Sequence, residues 1–94
     1  MKAKSSGLLH VSAAVCDKPC FYLGITLVTD GTKDVIATVF DDPDSAAGVE
    51  VDYLQCSDES LNECHIMRFP VWCAYGIWVE LDAVEGDYIV WYAR

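Results

Sequence analysis

The run Tyr22 to Asp41, YLGITLVTDGTKDVIATVFD, constrains the fold of this chain more than any other segment. β-Branched and aromatic residues recur at every second position on both sides of a polar turn, Thr29-Asp30-Gly31-Thr32-Lys33-Asp34. A period of two is the mark of a strand, and an Asp-Gly pair between two such runs predicts a β-hairpin. The alternation puts Phe21, Leu23, Ile25 and Leu27 on one face of the first strand, with Tyr22, Gly24, Thr26 and Val28 on the other. In the second strand Val35, Ala37 and Val39 oppose Ile36, Thr38 and Phe40. Both strands are partly apolar on both faces, which predicts a mid-sheet position or cover from a neighbouring subunit.

The remaining chain repeats this pattern in short pieces. Leu8 to Val15 reads as a first strand, with Leu9, Val11 and Ala13 on one face, after a loose polar segment at residues 1–7. Val49 to Gln55 alternates most cleanly, with Val49, Val51 and Tyr53 expected in the core and Glu50 and Asp52 in water. His65 to Phe69 is a short strand stopped by Pro70, with Val71 to Ala74 as a continuation. Ile77 to Asp82 points Ile77, Val79 and Leu81 inward and Trp78, Glu80 and Asp82 outward. Tyr88 to Tyr92 is the last strand, with Trp91 and Ile89 opposite Tyr88, Val90 and Tyr92. Ser57 to Glu63 is a polar loop whose Ser57-Asp58-Glu59-Ser60 suits a single helical turn. No window has a helical period. Seven or eight short strands, with turns every 8–12 residues, predict an all-β, single-domain antiparallel β-sandwich of jelly-roll-like form over residues 8–94.

Composition bounds what such a domain can do. At 94 residues it buries only roughly 60–65% of its unfolded surface. Yet 53% of its residues are hydrophobic, with three Trp and five Tyr. That is more apolar surface than one small core hides, so an interface is expected, in a homo-oligomer or on another protein. Tyr22, Trp72, Trp78, Trp91 and Tyr92 are the residues expected there, burying aromatic area at subunit contacts. The net charge of −9, from 15 acidic and 6 basic residues, disfavours nucleic acid and anionic membranes. Lys2, Lys4, Lys18, Lys33, Arg68 and Arg94 are scattered and make no basic patch. The opening segment lacks the uninterrupted apolar core of a secretory signal, and no apolar run reaches the ~18 residues of a membrane helix.

Chemistry-bearing residues are present without a chemical pattern. Five cysteines, an odd number, suit reduced thiols in a cytosolic setting. Cys16 and Cys20 are four residues apart, but Cys56, Cys64, His65 and Cys73 form no second tight pair, so a structural zinc site is not expected. Disulfides such as Cys16–Cys20 or Cys56–Cys64 remain open. Cys64 and His65 are adjacent and in a strand point to opposite faces, so they make no nucleophile–base pair. Neither an enzyme nor a cofactor is expected. The Asp41-Asp42-Pro43-Asp44 loop lacks the spacing of a calcium loop and reads as a solvated turn, as do Asp30 and Asp34 around Gly31.

Six segments, taken in order and spacing, resemble a set of small tailed-phage and prophage proteins. They are Tyr22-Leu23-Gly24-Ile25, Thr29-Asp30-Gly31-Thr32-Lys33-Asp34, Val39-Phe40-Asp41, Phe69-Pro70-Val71-Trp72-Cys73, Tyr75-Gly76-Ile77-Trp78-Val79 and Tyr88-Ile89-Val90-Trp91-Tyr92. The likeness covers most of the chain from about Cys20 onward; the extra cysteines and the Ser57 to Glu63 loop depart from it. It implies a structural component of a phage virion assembled in the host cytoplasm. The leading form is an oligomeric capsid decoration (cement) protein. The alternatives are a neck or tail accessory protein, or a β-sandwich binding module for carbohydrate or a host surface. Its implied partners are other virion proteins, either the major capsid protein or those of the neck and tail.

Overall fold

The structure is a computed structural model and describes residues 2–29, 34–57, 61–82 and 86–94. Eight strands follow one another: β1 (Ala3–Ser5), β2 (Ala13–Cys16), β3 (Cys20–Thr29), β4 (Val35–Asp41), β5 (Val49–Cys56), β6 (Asn62–Cys73), β7 (Ile77–Leu81) and β8 (Gly86–Ala93). They form two four-stranded sheets. Sheet A has the order β1-β8-β3-β6 and sheet B the order β2-β7-β4-β5. Every pairing is antiparallel. The first strand lies beside the last, β2 beside β7, β3 beside β6 and β4 beside β5. Nested pairs of this kind, rolled into two packed sheets, are the wrapping of a jelly roll. The all-β sandwich read from the alternation is the fold observed.

The core is the meeting of the two inner faces. Tyr22, Ile25, Leu27, Tyr88 and Val90 come from sheet A, and Val35, Ala37, Val39, Leu54, Ile77 and Val79 from sheet B. The alternation grouped the residues of β4 and β8 by face correctly, and assigned inward and outward residues correctly along β7. Elsewhere the structure corrects it.

The first correction concerns the hairpin. β3 and β4 are consecutive but do not pair: β3 sits between β8 and β6, and β4 between β7 and β5. The run Tyr22 to Asp41 is an arch from one sheet to the other. An arch brings the two inward rows face to face, where each buries the other, while each strand pairs along its length with two other strands. Both strands are interior, as their two-faced apolarity indicated. The turn residues 30–33, with the Asp30 and Gly31 reading, lie outside the described residues.

The second correction concerns faces. Tyr22 and Gly24 of β3 pair with the adjacent residues Tyr92 and Trp91 of β8, so Leu23 is a bulge. One extra residue resets the period of two. Tyr22 is therefore buried with Ile25 and Leu27, while Phe21 turns outward opposite Trp72. β5 behaves alike: Val39 pairs with Asp52 but Phe40 pairs with Glu50, leaving Val51 bulged. Leu54 and Cys56 are the buried residues of β5, Val49 is 75% exposed, and Asp52 faces inward.

The remaining differences are at element ends. Within the segment 1–7, expected to be loose, Ala3–Ser5 form the edge strand β1 along β8. Leu8 to Val15 becomes a regular strand only from Ala13, while Leu9 makes a single bridge to Tyr88, with hydrogen bonds of 2.9 Å in both directions. β6 runs through Pro70, because Tyr22 and Gly24 pair with Val71 and Ile66 and so Met67 to Pro70 leave the ladder. A residue without an N–H is tolerated at such an excursion on an edge strand. The last strand, expected from Tyr88, begins two residues earlier, at Gly86. Of the helical turn expected at Ser57 to Ser60, residues 58–60 lie outside the described residues.

Candidate functional site

The two outer faces of the sandwich differ sharply. Across sheet A the register aligns Phe21 with Trp72 and Ala93, then Gly24 with Ile66 and Trp91, then Thr26 with Cys64 and Ile89. Phe21 and Trp72 touch, ring centroids 4.9 Å apart and tilted by 58°. Ile66 is 64% exposed and Trp72 54%. Beside them the Met67 to Pro70 excursion carries Phe69, 74% exposed, with the Arg68 guanidinium 5.7 Å from its ring centroid. The strands of sheet A carry two basic residues, Lys4 and Arg68, and two acidic ones, Glu63 and Asp87. Asp87 is paired with His10 at 2.8 Å. The result is an apolar outer face on strands whose charges balance, in a chain of net charge −9.

Sheet B is the opposite. One row across its outer face holds Ala14, Trp78, Phe40 and Glu50; the next holds Glu80, Thr38 and Tyr53. The Trp78 indole Nε1 donates to Glu80 Oε1 at 3.0 Å. The strands of sheet B carry Asp41, Glu50, Asp52 and Glu80 and no Lys or Arg; Glu50 and Glu80 lie on the outer face, while Asp52 faces inward and Asp41 binds the β6–β7 turn.

The five aromatics expected at an interface therefore do not form one surface. Trp72 and Trp91 share the outer face of sheet A, and Trp78 lies on that of sheet B. Tyr92 turns inward and packs against the core. Tyr22 is 0% exposed, which removes it from any surface; the Leu23 bulge is the cause. Phe21, Ile66 and Phe69 were not singled out by their sequence. The glycine inside β3 was the available signal, since a strand glycine often marks a bulge.

Between the sheets, at the rim where β5 nears β6, lies a polar knot. The Tyr22 hydroxyl donates to Asp52 Oδ2 at 2.7 Å, and the Asp52 Oδ1 is 3.0 Å from His65 Nδ1 and accepts the Tyr53 N–H at 2.8 Å. Burial, then the Asp52 carboxylate, pushes the Tyr22 phenol far above its ordinary range. The knot ties strands of opposite sheets through side chains. It faces Cys64 away, so Cys64 and His65 do lie on opposite sides of β6.

All five cysteines are free thiols, and four are buried. Burial, aided by the neighbouring Cys16, raises the Cys20 thiol; burial and the Asp41 charge raise Cys73 from 9.0 to about 11. Burial likewise raises Cys56. Thiols held protonated in this way are packing residues rather than nucleophiles. The sign of the linkage follows: folded and unfolded chains are both protonated below 9.0, and above it the unfolded chain releases its proton first. Stability against urea is expected to be insensitive to the thiols near neutral pH and to fall as pH rises from 9.0 through about 11. Cys73→Ala should flatten that decline; a decline of equal steepness in the variant would contradict it.

The acidic loops are turns held by their own carboxylates. Asp42 Oδ1 accepts the N–H groups of Asp44 at 3.0 Å and Ser45 at 2.9 Å, which lowers its pKa. The Asp41 carboxylate accepts the N–H groups of Ala74 at 3.2 Å and Tyr75 at 2.9 Å, tying the β6–β7 turn to the end of β4. Among the described residues no group of three His, Cys, Asp or Glu side chains is placed to hold a metal ion, and no concave pocket opens. Nor do they form a helix long and apolar enough to cross a membrane. Comparison with protein-family models, curated proteins and solved structures finds no match.

Proposed function

We propose that this chain is a non-catalytic structural protein that assembles by burying the outer face of sheet A against further copies and against a larger protein particle. The observation that carries the reading is the pairing of exposure with neutrality. Ile66, Phe69 and Trp72 stand exposed on the charge-balanced side of a molecule whose other side is acidic. Contiguous apolar patches on small proteins mark contact sites. Full burial of a large apolar side chain contributes about 1.5–3 kcal/mol, which makes these three residues the anchors of such a contact. The likeness to small phage proteins supports a virion as the particle. In that setting the role is a capsid decoration protein that stabilises the shell, with the major capsid protein beside it.

Sedimentation velocity tests the reading. The wild-type chain is expected to associate at micromolar concentration. Trp72→Glu should weaken that association by about 30-fold or more, the effect of losing a central aromatic anchor. Tyr53→Glu, on the outer face of sheet B, should leave it unchanged. A wild-type chain that stays monomeric, or variants that respond alike, would count against the proposal.

A further inference from the structure

We infer that the outer face of sheet B is a second docking surface, fitted to a basic protein segment that presents Arg or Lys side chains. The inference does not rest on self-association through sheet A. Its first support is the distribution of charge. The outer face of sheet B carries Glu50 and Glu80 and no basic residue, with Asp52 facing inward and Asp41 bound to the β6–β7 turn, whereas the strands of sheet A carry both signs equally. A second copy of this chain brings no basic face to meet it, because the described Lys and Arg residues are confined to sheet A strands, loops and termini. The complementary occupant is therefore a different, positively charged protein surface.

The second support is the arrangement of aromatics among those acids. Trp78 and Phe40 are neighbours in one row with Glu50 at its end, and Tyr53, 46% exposed, lies across Thr38 from Glu80 in the next. Guanidinium and ammonium groups bind best where a ring face and a carboxylate lie side by side, since the quadrupole and the ion pair act on one cation. Glu80 accepts the Trp78 N–H, which fixes the indole edge and leaves the second carboxylate oxygen for a ligand. Adjacent strands of one hydrogen-bonded sheet hold the two rows in place, so little ordering is needed on binding.

A deca-arginine peptide is the probe, titrated into the full-length chain and followed by backbone and indole N–H resonances. Shifts are expected at Trp78, including its indole N–H, and at Thr38, Phe40, Tyr53 and Glu80, and they should weaken with added salt. Glu50→Gln with Glu80→Gln should reduce affinity by about tenfold or more, while the amide oxygen introduced by the second change can still accept the indole N–H. Asp17→Asn with Asp44→Asn, exposed acids off this face, makes the same change in net charge and should alter affinity by less than about twofold. Equal losses in the two double variants would show generic attraction and overturn the inference. So would shifts confined to sheet A. Binding of a neutral oligosaccharide at the same residues, indifferent to the Glu→Gln changes, would replace the basic partner with a sugar.

Discussion

Asp52→Ala is expected to lower the unfolding free energy by about 3 kcal/mol, because it strands a buried hydroxyl as well as removing a carboxylate. The Tyr22 side chain has no exposed surface, and its hydroxyl reaches Asp52 Oδ2 at 2.7 Å. Without Asp52 that hydroxyl keeps its desolvation cost and loses its acceptor. His65 Nδ1 and the Tyr53 N–H, nearer the rim, can turn to water. Tyr22→Phe removes the stranded group itself and should cost less, about 1.5 kcal/mol. The double variant, Tyr22→Phe with Asp52→Ala, should then be more stable than the sum of the two losses implies, since the partners act as a unit. For a domain of this size the Asp52→Ala loss appears as a melting temperature roughly 10–20 °C lower. Thermal unfolding of the three variants checks this. A Tyr22→Phe loss equal to that of Asp52→Ala would mean the knot is not what ties the sheets.

Gly24→Ala should be as damaging for a different reason. A Cβ at this position would lie 2.3 Å from the His65 carbonyl oxygen and 3.0 Å from both Ile66 Cα and its Cδ1, and the glycine φ is +155°. The nearest atom is backbone held in the β3–β6 ladder, so it cannot swing aside. The strands must part, and a loss of about 3 kcal/mol is expected. β6 would loosen with it, taking Ile66, Trp72 and the excursion between them, so the variant should also associate poorly. Gly7→Ala is the control. Its φ of +74° makes any side chain strained, yet nothing lies within 4 Å, so only the backbone term of about 1 kcal/mol applies. Urea unfolding separates the two; similar losses would show that crowding against His65 does not matter.

Strand existence and fold class were legible because alternation reports burial directly: Val35, Ala37 and Val39, or Ile77 and Val79, are inward as their spacing requires. Strand partners were not legible. Alternation fixes which way a side chain points, not which strand lies beside it, so the Asp-Gly turn between β3 and β4 suited an arch as well as a hairpin. The two bulges explain the wrong faces. Each inserts one residue, at Leu23 and at Val51, and that reverses every assignment beyond it. Asp52 was doubly hidden, since a carboxylate reads as a water-facing residue and its partners Tyr22 and His65 are distant in sequence. The contact face was half legible. Trp72 and Trp91 stood out as large aromatics, but their grouping with Phe21 and Ile66, and their separation from Trp78, depend on register.

The central claim is that the outer face of sheet A is a protein contact, and Cys64 offers a native reporter on it. Cys64 is the exposed cysteine of the five, and it faces outward beside Thr26, whose hydroxyl donates to its sulfur at 3.2 Å. Its alkylation by iodoacetamide, read by mass spectrometry, should slow sharply as protein concentration rises through the association range. Cys16, Cys20, Cys56 and Cys73 should stay unreactive throughout. Associated protein in which Cys64 still reacts at the rate of the dilute chain would contradict the claim.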